Sequence, residues 1–154
     1  MKELLEYRAS LLERLVHAAQ NFRHACLAAE DAFTPLDSGW SVHQIAVHTR
    51  DVDQMVYASR ARRTALEQDP EFQNFDGDAY MIEHYSANEP LDKILDELVQ
   101  NVESLAQTLR ALPKEAWSRE SSHVTLGHGF TLQAWVERGL AHIEEHLRTV
   151  RPSD

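Results

Sequence analysis

The sequence is poor in the residues that define several large classes of protein. Its single cysteine, Cys26, cannot form an internal disulfide, which excludes a disulfide-stabilised scaffold. Five glycines and five prolines among 154 residues are too few for a collagen-like or low-complexity chain. The apolar runs are only a few residues long, whereas a membrane-spanning helix needs about 20 apolar residues. The sequence therefore predicts a globular protein with no membrane-embedded part.

Positive charge is also scarce. Fifteen lysines and arginines stand against 25 aspartates and glutamates, which gives a formal net charge of −10. Such a charge repels phosphate backbones and anionic lipid headgroups, and no basic patch is visible, so we expect no nucleic-acid partner and no membrane partner. The N-terminal residues lack the basic start and continuous apolar stretch of a secretory signal, so we expect a cytoplasmic protein.

Apolar periodicity predicts an all-α four-helix bundle that forms a single domain over residues 1–154. Apolar residues recur at helical spacing in four separate stretches, and no stretch shows the alternation expected of a strand. The predicted helices run from Met1 to about Glu30, from a cap at Ser41 to about Gln68, from Leu91 to about Leu112, and from a cap at Thr131 to Pro152. The interior of such a bundle is where metal and cofactor sites are usually built.

Local sequence patterns predict where two of the helices begin and what two of the connecting segments form. Ser41 and Gln44 match a capping box, and Thr131 is a second N-cap flanked by the apolar pair Phe130 and Trp135. Between the second and third helices we expect about two helical turns, at Ala79–Tyr85. Residues 115–130 lack any period and predict a long loop before the last helix, which is a candidate for lining a site.

Three histidines fall on predicted buried faces. On a wheel of ~100° per residue, His142 and His146 lie within about 20° of Trp135, and His48 lies inside the apolar arc of its own helix. Each buried ring needs a partner, because an unpaired polar group costs about 1–3 kcal/mol. One interpretation is that each ring bonds to a backbone carbonyl or a carboxylate.

For the three rings together we favour a divalent metal ion. Neutral imidazoles suit zinc, nickel, iron or copper better than magnesium or calcium, and three protein ligands leave a position for water or substrate. The remaining histidines are weaker candidates: His17, His24 and His43 are predicted at the surface or boundary, and His84, His123 and His128 in unpatterned segments that could border a pocket.

Two neighbouring carboxylates are candidate bases or hydrogen-bond acceptors for the metal ligands. Glu145 lies near the ligand edge of the last helix, and Asp51 follows His48 by three residues. The alternative is that both carboxylates only face solvent, which is the more common arrangement. The stretch His142–His146 also spells H-x-x-E-H, the order found in inverzincin proteases. Those enzymes take a third ligand from well downstream, so we do not expect a protease. Cys26 lies in an apolar stripe and is interpreted as packing.

The segment Trp40–Asp51, the later segment Thr131–Trp135 and the pair His142 and His146 together resemble the DinB-like superfamily of small four-helix metalloproteins. The resemblance covers nearly the whole chain. It implies that one histidine of the second helix and two of the last helix bind a divalent metal, usually zinc or nickel. The matching positions here are His48, His142 and His146, and no ligand is missing.

The same resemblance implies a function. Relatives include transferases and isomerases that use mycothiol, bacillithiol or glutathione, and many of them form dimers. We therefore expect a metal-dependent transferase that acts on a small-molecule substrate with a low-molecular-weight thiol as cosubstrate, and we expect a homodimer. The alternatives are a stress-associated metal-binding protein without turnover and, third, a metal-dependent hydrolase. We expect the pocket over the metal to combine the loop before the last helix with the start of the second helix, lined by Trp40, Trp135, Tyr80 and His128.

Overall fold

The computed structural model describes residues 1–151, in which four long helical segments pack as a bundle. The first is α1 (Lys2–Leu27). The second consists of α2 (Val42–Val52), a π-helical turn (Asp53–Tyr57) and α3 (Ala58–Leu66) in direct succession. The short α4 (Gly77–His84) precedes the third, α5 (Leu91–Arg110). The fourth is α6 (Leu132–Val150); Pro152, which was predicted to end it, lies outside the described residues.

The predicted helix starts are confirmed. The Ser41 hydroxyl accepts a hydrogen bond from the Gln44 amide, and the Gln44 side chain accepts from the Ser41 amide, which completes the capping box. The Thr131 side chain accepts from the Ala134 amide, and the flanking rings of Phe130 and Trp135 stack with centroids 5.2 Å apart. These local contacts fix where α2 and α6 begin and therefore the height of their histidines in the bundle.

The prediction of a loop without strands over residues 115–130 is wrong. A 3₁₀ turn (Lys114–Ser118) leads into an antiparallel hairpin of β2 (Glu120–His123) and β3 (Gly127–Thr131), and β1 (Glu71–Phe72) pairs in parallel with β2. The strands are too short and irregular to show a period, since a bulge shifts the register between Ser121 and His123. The sheet covers one end of the bundle beside α6.

The core lies where α1 packs against α5 and α6, and where α2 and α3 close the other side. Its largest fully buried side chains are apolar residues of the predicted helices: Leu11, Leu12, Leu15, Phe22, Ile45, Ile94, Leu95, Leu98, Leu109, Leu132, Trp135 and Ile143. Cys26 is also buried here, and burial raises the pKa of its thiol to about 12, which fits a packing role. None of the helices within residues 1–151 is long and apolar enough to cross a membrane.

Polar contacts tie α2 to the segment before α5. The buried guanidinium of Arg50 pairs with Asp51, with Glu89 and with Glu97. His43 is buried between the Tyr85 hydroxyl at 2.8 Å and the Glu89 carbonyl at 2.7 Å, so its predicted place at the surface or boundary is wrong. These contacts hold α2, and with it His48, at a fixed position in the bundle.

Candidate metal centre

Three imidazole rings meet between α2 and α6. His48 comes from α2, and His142 and His146 come from successive turns of α6. Their ring centroids lie 5.5 Å apart for His48 and His142, 5.0 Å for His48 and His146, and 4.6 Å for His142 and His146. One ring nitrogen from each residue lies within 4.8 Å of the other two. The fold therefore brings together the three histidines that the sequence singled out.

The surroundings keep these rings neutral. Burial, and then the neighbouring rings of His146 and His48, lowers the pKa of His142 to about 3. Burial, and then His48, lowers the pKa of His146 to about 4 against a small opposing effect of Glu145. Burial also lowers the pKa of His48, although Asp78, Asp51 and Glu145 act in the opposite direction. Neutral imidazole offers the lone pair that a metal ligand requires.

The hydrogen bonding within the cluster is incomplete. The Nε2 atoms of His142 and His146 lie 3.1 Å apart, a distance close to the ~3.3 Å separation of two nitrogens on a tetrahedral zinc ion. The Nδ1 atoms of His48 and His142 are buried and have no hydrogen-bond partner among residues 1–151. Buried polar atoms normally have partners. Three neutral nitrogen donors within 4.8 Å of one another fit a divalent transition metal.

A cavity of about 610 Å³ opens beside the cluster, and His48 and His142 form part of its wall. The other lining residues come from the second helical segment, the approach to α4 and the β2–β3 hairpin: Val52, Val56, Tyr57, Arg60, Asn74, Phe75, Asp76, Gly77, Asp78, His123 and Leu126. A larger groove of about 880 Å³ lies at the α1–α2 loop and the end of α6, but no histidine lines it. The smaller cavity is therefore the one that serves the cluster.

The comparisons with known proteins agree with this architecture. Residues 11–150 match the sequence model of the DinB superfamily. The chain belongs to the DinB superfamily. Among solved structures, YfiT from Bacillus subtilis superposes with a TM-score of 0.75 at 23% sequence identity, over 93% of this chain and 87% of YfiT. YfiT is described as a probable metal-dependent hydrolase with an unusual four-helix bundle topology, and the likeness establishes a shared fold. No curated protein matches the sequence.

The two candidate carboxylates lie outside the cavity wall of this DinB-superfamily chain. Asp51 pairs with Arg50 at 3.0 Å, and burial raises the pKa of its carboxyl while Arg50 lowers it. Glu145 is exposed on α6, close enough to influence His48 and His146 electrostatically. The carboxylates that do line the cavity, Asp76 and Asp78, belong to the start of α4.

The four predicted pocket residues are placed differently from the expectation. Trp40 packs its ring edge-on against His48 with centroids 5.2 Å apart but does not line the cavity. Trp135 is buried, and its indole N–H donates to the Ser121 hydroxyl at 2.7 Å. Tyr80 stacks on His84 and does not line the cavity, and His128 is exposed on β3 beside a separate groove. For His128 the reason is the hairpin, in which His123 and Leu126 line the cavity and His128 does not.

Sequence reasoning missed Tyr57, Arg60 and Gly77 as cavity residues in this DinB-superfamily fold. Tyr57 is the last residue of the π-helical turn and Arg60 follows it, and a fixed helical period does not include the rotation that this turn introduces. In an uninterrupted helix Arg60 would lie about 120° from His48 around the axis, whereas one extra residue brings it to within roughly 20°. Gly77 was interpreted only as part of a turn, although a Cβ there would lie 3.0 Å from His48 Cε1.

Proposed function

We propose that this protein is a metal-dependent enzyme that binds a divalent ion through His48, His142 and His146 and transfers a low-molecular-weight thiol to an electrophilic small molecule. One observation carries the proposal: three neutral imidazoles lie together, and two of them, His48 and His142, line an open cavity of about 610 Å³. Structural zinc sites are closed by four protein ligands, whereas catalytic sites keep a position free for substrate. Three ligands beside an open cavity favour catalysis.

The donor set favours zinc or nickel as the resident ion, since imidazole nitrogen is a borderline ligand that suits both. A bound ion of this kind would lower the pKa of a coordinated thiol and keep it as the nucleophilic thiolate. The chain itself supplies the rest. Burial keeps the three imidazoles unprotonated, Gly77 and Trp40 fix the His48 ring, and the cavity walls position the electrophile close to the sulphur.

A metal-dependent hydrolase is the second candidate, and a specific observation favours it. Asp78 lines the cavity and lies close enough to His48 to influence its protonation, so a carboxylate is available near the cluster as a general base for water. YfiT, which shares the fold, is described as a probable metal-dependent hydrolase. A stress-associated metal-binding protein without turnover has no need of the open cavity.

The metal site is tested first. Protein purified without an affinity tag is expected to contain about one transition-metal ion per chain by elemental analysis, and zinc or nickel should raise the melting temperature of the metal-free protein. The variants His48→Ala, His142→Ala and His146→Ala should each lose the metal. His128→Ala is the matched control, because His128 is exposed and outside the cavity. Metal retained in all three variants would exclude the proposed ligand set.

The two enzyme candidates are separated by a thiol screen. We expect at least one of glutathione, bacillithiol, mycothiol and coenzyme A to stabilise the zinc-loaded protein in a thermal-shift assay, and the same thiol should have no such effect on His142→Ala. If no thiol stabilises the loaded protein, the transferase proposal fails. Asp78→Asn then becomes the informative variant, since a hydrolase that uses Asp78 as its base should lose its activity toward activated esters.

The family resemblance leads us to propose a homodimer in the cytoplasm. The chain has a mass of 17.6 kDa, so light scattering on purified protein should give about twice that value. A mass equal to that of one chain would contradict the dimer.

A further inference from the structure

Arg60 stands out among the cavity residues because its positive charge is uncompensated. The protein carries 25 acidic residues, yet no carboxylate among residues 1–151 lies within ion-pair distance of Arg60. Its pKa is lowered first by burial and further by the nearby charge of Arg138, while Tyr57 acts in the opposite direction. A half-buried cation without a counter-ion is costly, and an anionic ligand would remove that cost.

The Arg60 side chain is held in place by the fold. Its guanidinium carbon lies 4.9 Å from the Trp135 ring centroid and 5.6 Å from that of Phe72, and one terminal nitrogen donates to the Gln73 carbonyl at 2.8 Å. That bond uses one of the five N–H groups of the side chain, and the others have no partner among the described residues. Arg60 therefore presents an immobilised set of donors to the cavity.

His123 provides a second donor on the hairpin wall. Its Nδ1 accepts hydrogen bonds from the backbone amides of Thr125 and Leu126, both at 3.1 Å. Since an Nδ1 that accepts cannot carry a proton, the neutral ring is protonated at Nε2 and donates from that atom. No hydrogen bond from Nε2 is found within residues 1–151. Burial, and then the charges of Arg60 and Arg138, lowers the pKa of His123, which places both arginines near the ring.

The other polar groups of the cavity are also separated into a wall with hydrogen-bond donors and a wall with carboxylates. The Tyr57 hydroxyl has no partner among residues 1–151, and Arg60 and Arg138 both lie near enough to influence its pKa, which burial raises. The cavity's own carboxylates belong to α4, where Asp76 caps the helix through the Ala79 amide and Asp78 lies near His48. One wall of the cavity thus offers donors without acids, while the acids lie at the approach to α4.

We propose that Arg60, assisted by the Nε2–H of His123, binds the carboxylate of a small-molecule ligand and so positions that ligand beside His48 and His142. This inference rests on the proposed function and narrows its substrate class, because it requires the thiol cosubstrate or its acceptor to carry a carboxylate. A guanidinium can bind a carboxylate through two parallel hydrogen bonds, which fixes orientation as well as charge. The Arg60 side chain acts in binding and does not take part in bond making.

The test uses a matched pair of probes, 3-mercaptopropionate and 3-mercaptopropionamide, which differ only in the carboxylate. In metal-free protein, titration with the carboxylate probe should shift the NMR signals of the His123 imidazole, and the amide should shift them with at least about tenfold weaker affinity. Arg60→Gln should abolish this difference. Arg148→Gln, which removes an equal charge from an exposed position of α6 outside the cavity, should preserve it.

A second measurement separates this inference from the proposed function. In zinc-loaded protein, calorimetry with both probes reports whether the thiol binds at all. No heat from either probe would contradict the thiol proposal, while a carboxylate-dependent His123 shift in metal-free protein would still support the subsite. Equal His123 responses to both probes, or an undiminished preference in Arg60→Gln, would overturn the subsite. If Arg60→Gln does not fold, Arg60→Lys is used, because it keeps the charge but lacks the planar guanidinium that binds a carboxylate through two hydrogen bonds. An unchanged affinity of Arg60→Lys for 3-mercaptopropionate would also overturn the subsite.

Discussion

At the scale of single residues, the position of His48 depends on the absence of a side chain opposite it. Gly77 begins α4, and a Cβ atom at this position would lie 3.0 Å from His48 Cε1 and 3.3 Å from Val52 Cγ2. Both distances are shorter than ordinary van der Waals contacts. Because His48 is a candidate ligand, the glycine bears on the geometry of the site although it offers no donor of its own.

We expect Gly77→Ala to weaken metal binding by about tenfold or more, comparable to the loss of an outer-shell contact. The added methyl would displace the His48 ring while leaving all three imidazoles in the chain. The measurement is a competition titration of zinc against a chelator. His128→Ala is the control, since His128 is exposed and lies outside the cavity. Equal affinities for wild type and Gly77→Ala would show that His48 adjusts freely.

At the scale of elements, the hairpin and α6 are joined through a buried hydroxyl. Ser121 on β2 is fully buried, accepts the Trp135 indole N–H at 2.7 Å and donates to the Phe130 carbonyl at 2.8 Å. The hairpin carries His123, and α6 carries His142 and His146. The contact therefore fixes one cavity wall relative to the candidate ligands.

Ser121→Ala should lower the free energy of unfolding by about 1–3 kcal/mol, because it leaves the buried indole N–H of Trp135 without an acceptor. Chemical denaturation measures this directly. The adjacent Ser122→Ala is the control, since Ser122 makes no side-chain hydrogen bond within residues 1–151 and its loss should cost less than about 0.5 kcal/mol. Similar losses in the two variants would mean that the hairpin is not anchored through Ser121.

At the scale of the whole molecule, the histidine cluster links the stability of the bundle to pH. The pKa of His142 is lowered to about 3 and that of His146 to about 4, both below the usual value of 6.5, so the unfolded chain binds more protons than the folded one between these values. Their contribution to stability is complete above pH 6.5 and is lost as pH falls toward 3–4. Asp53 acts in the opposite direction, because burial raises the pKa of its carboxyl to about 7 and favours the folded state at low pH.

We therefore expect the difference between wild type and His142→Gln to isolate the histidine effect. In the presence of a chelator, wild type should lose stability relative to the variant as pH falls from 6.5 to 4, by up to about 1.4 kcal/mol per pH unit. Urea unfolding at several pH values measures this difference, and Asp53 is common to both proteins and cancels. Parallel pH profiles would show that His142 is not held neutral by the fold.

The sequence by itself determined the bundle, the helix starts and the buried faces on which the three histidines lie. These features follow from local rules, since a helical period places His142 and His146 on one face and a capping box fixes where α2 begins. The resemblance to the DinB-like superfamily implied that His48 joins this pair, and the packing of α2 against α6 brings the three rings together. The tertiary structure alone decided the cavity. The π-helical turn rotates Arg60 toward His48, and the β2–β3 hairpin turns His123 inward and leaves His128 exposed. Neither event has a local signature, because a π turn and short bulged strands are stabilised by packing against distant elements and carry no sequence period of their own.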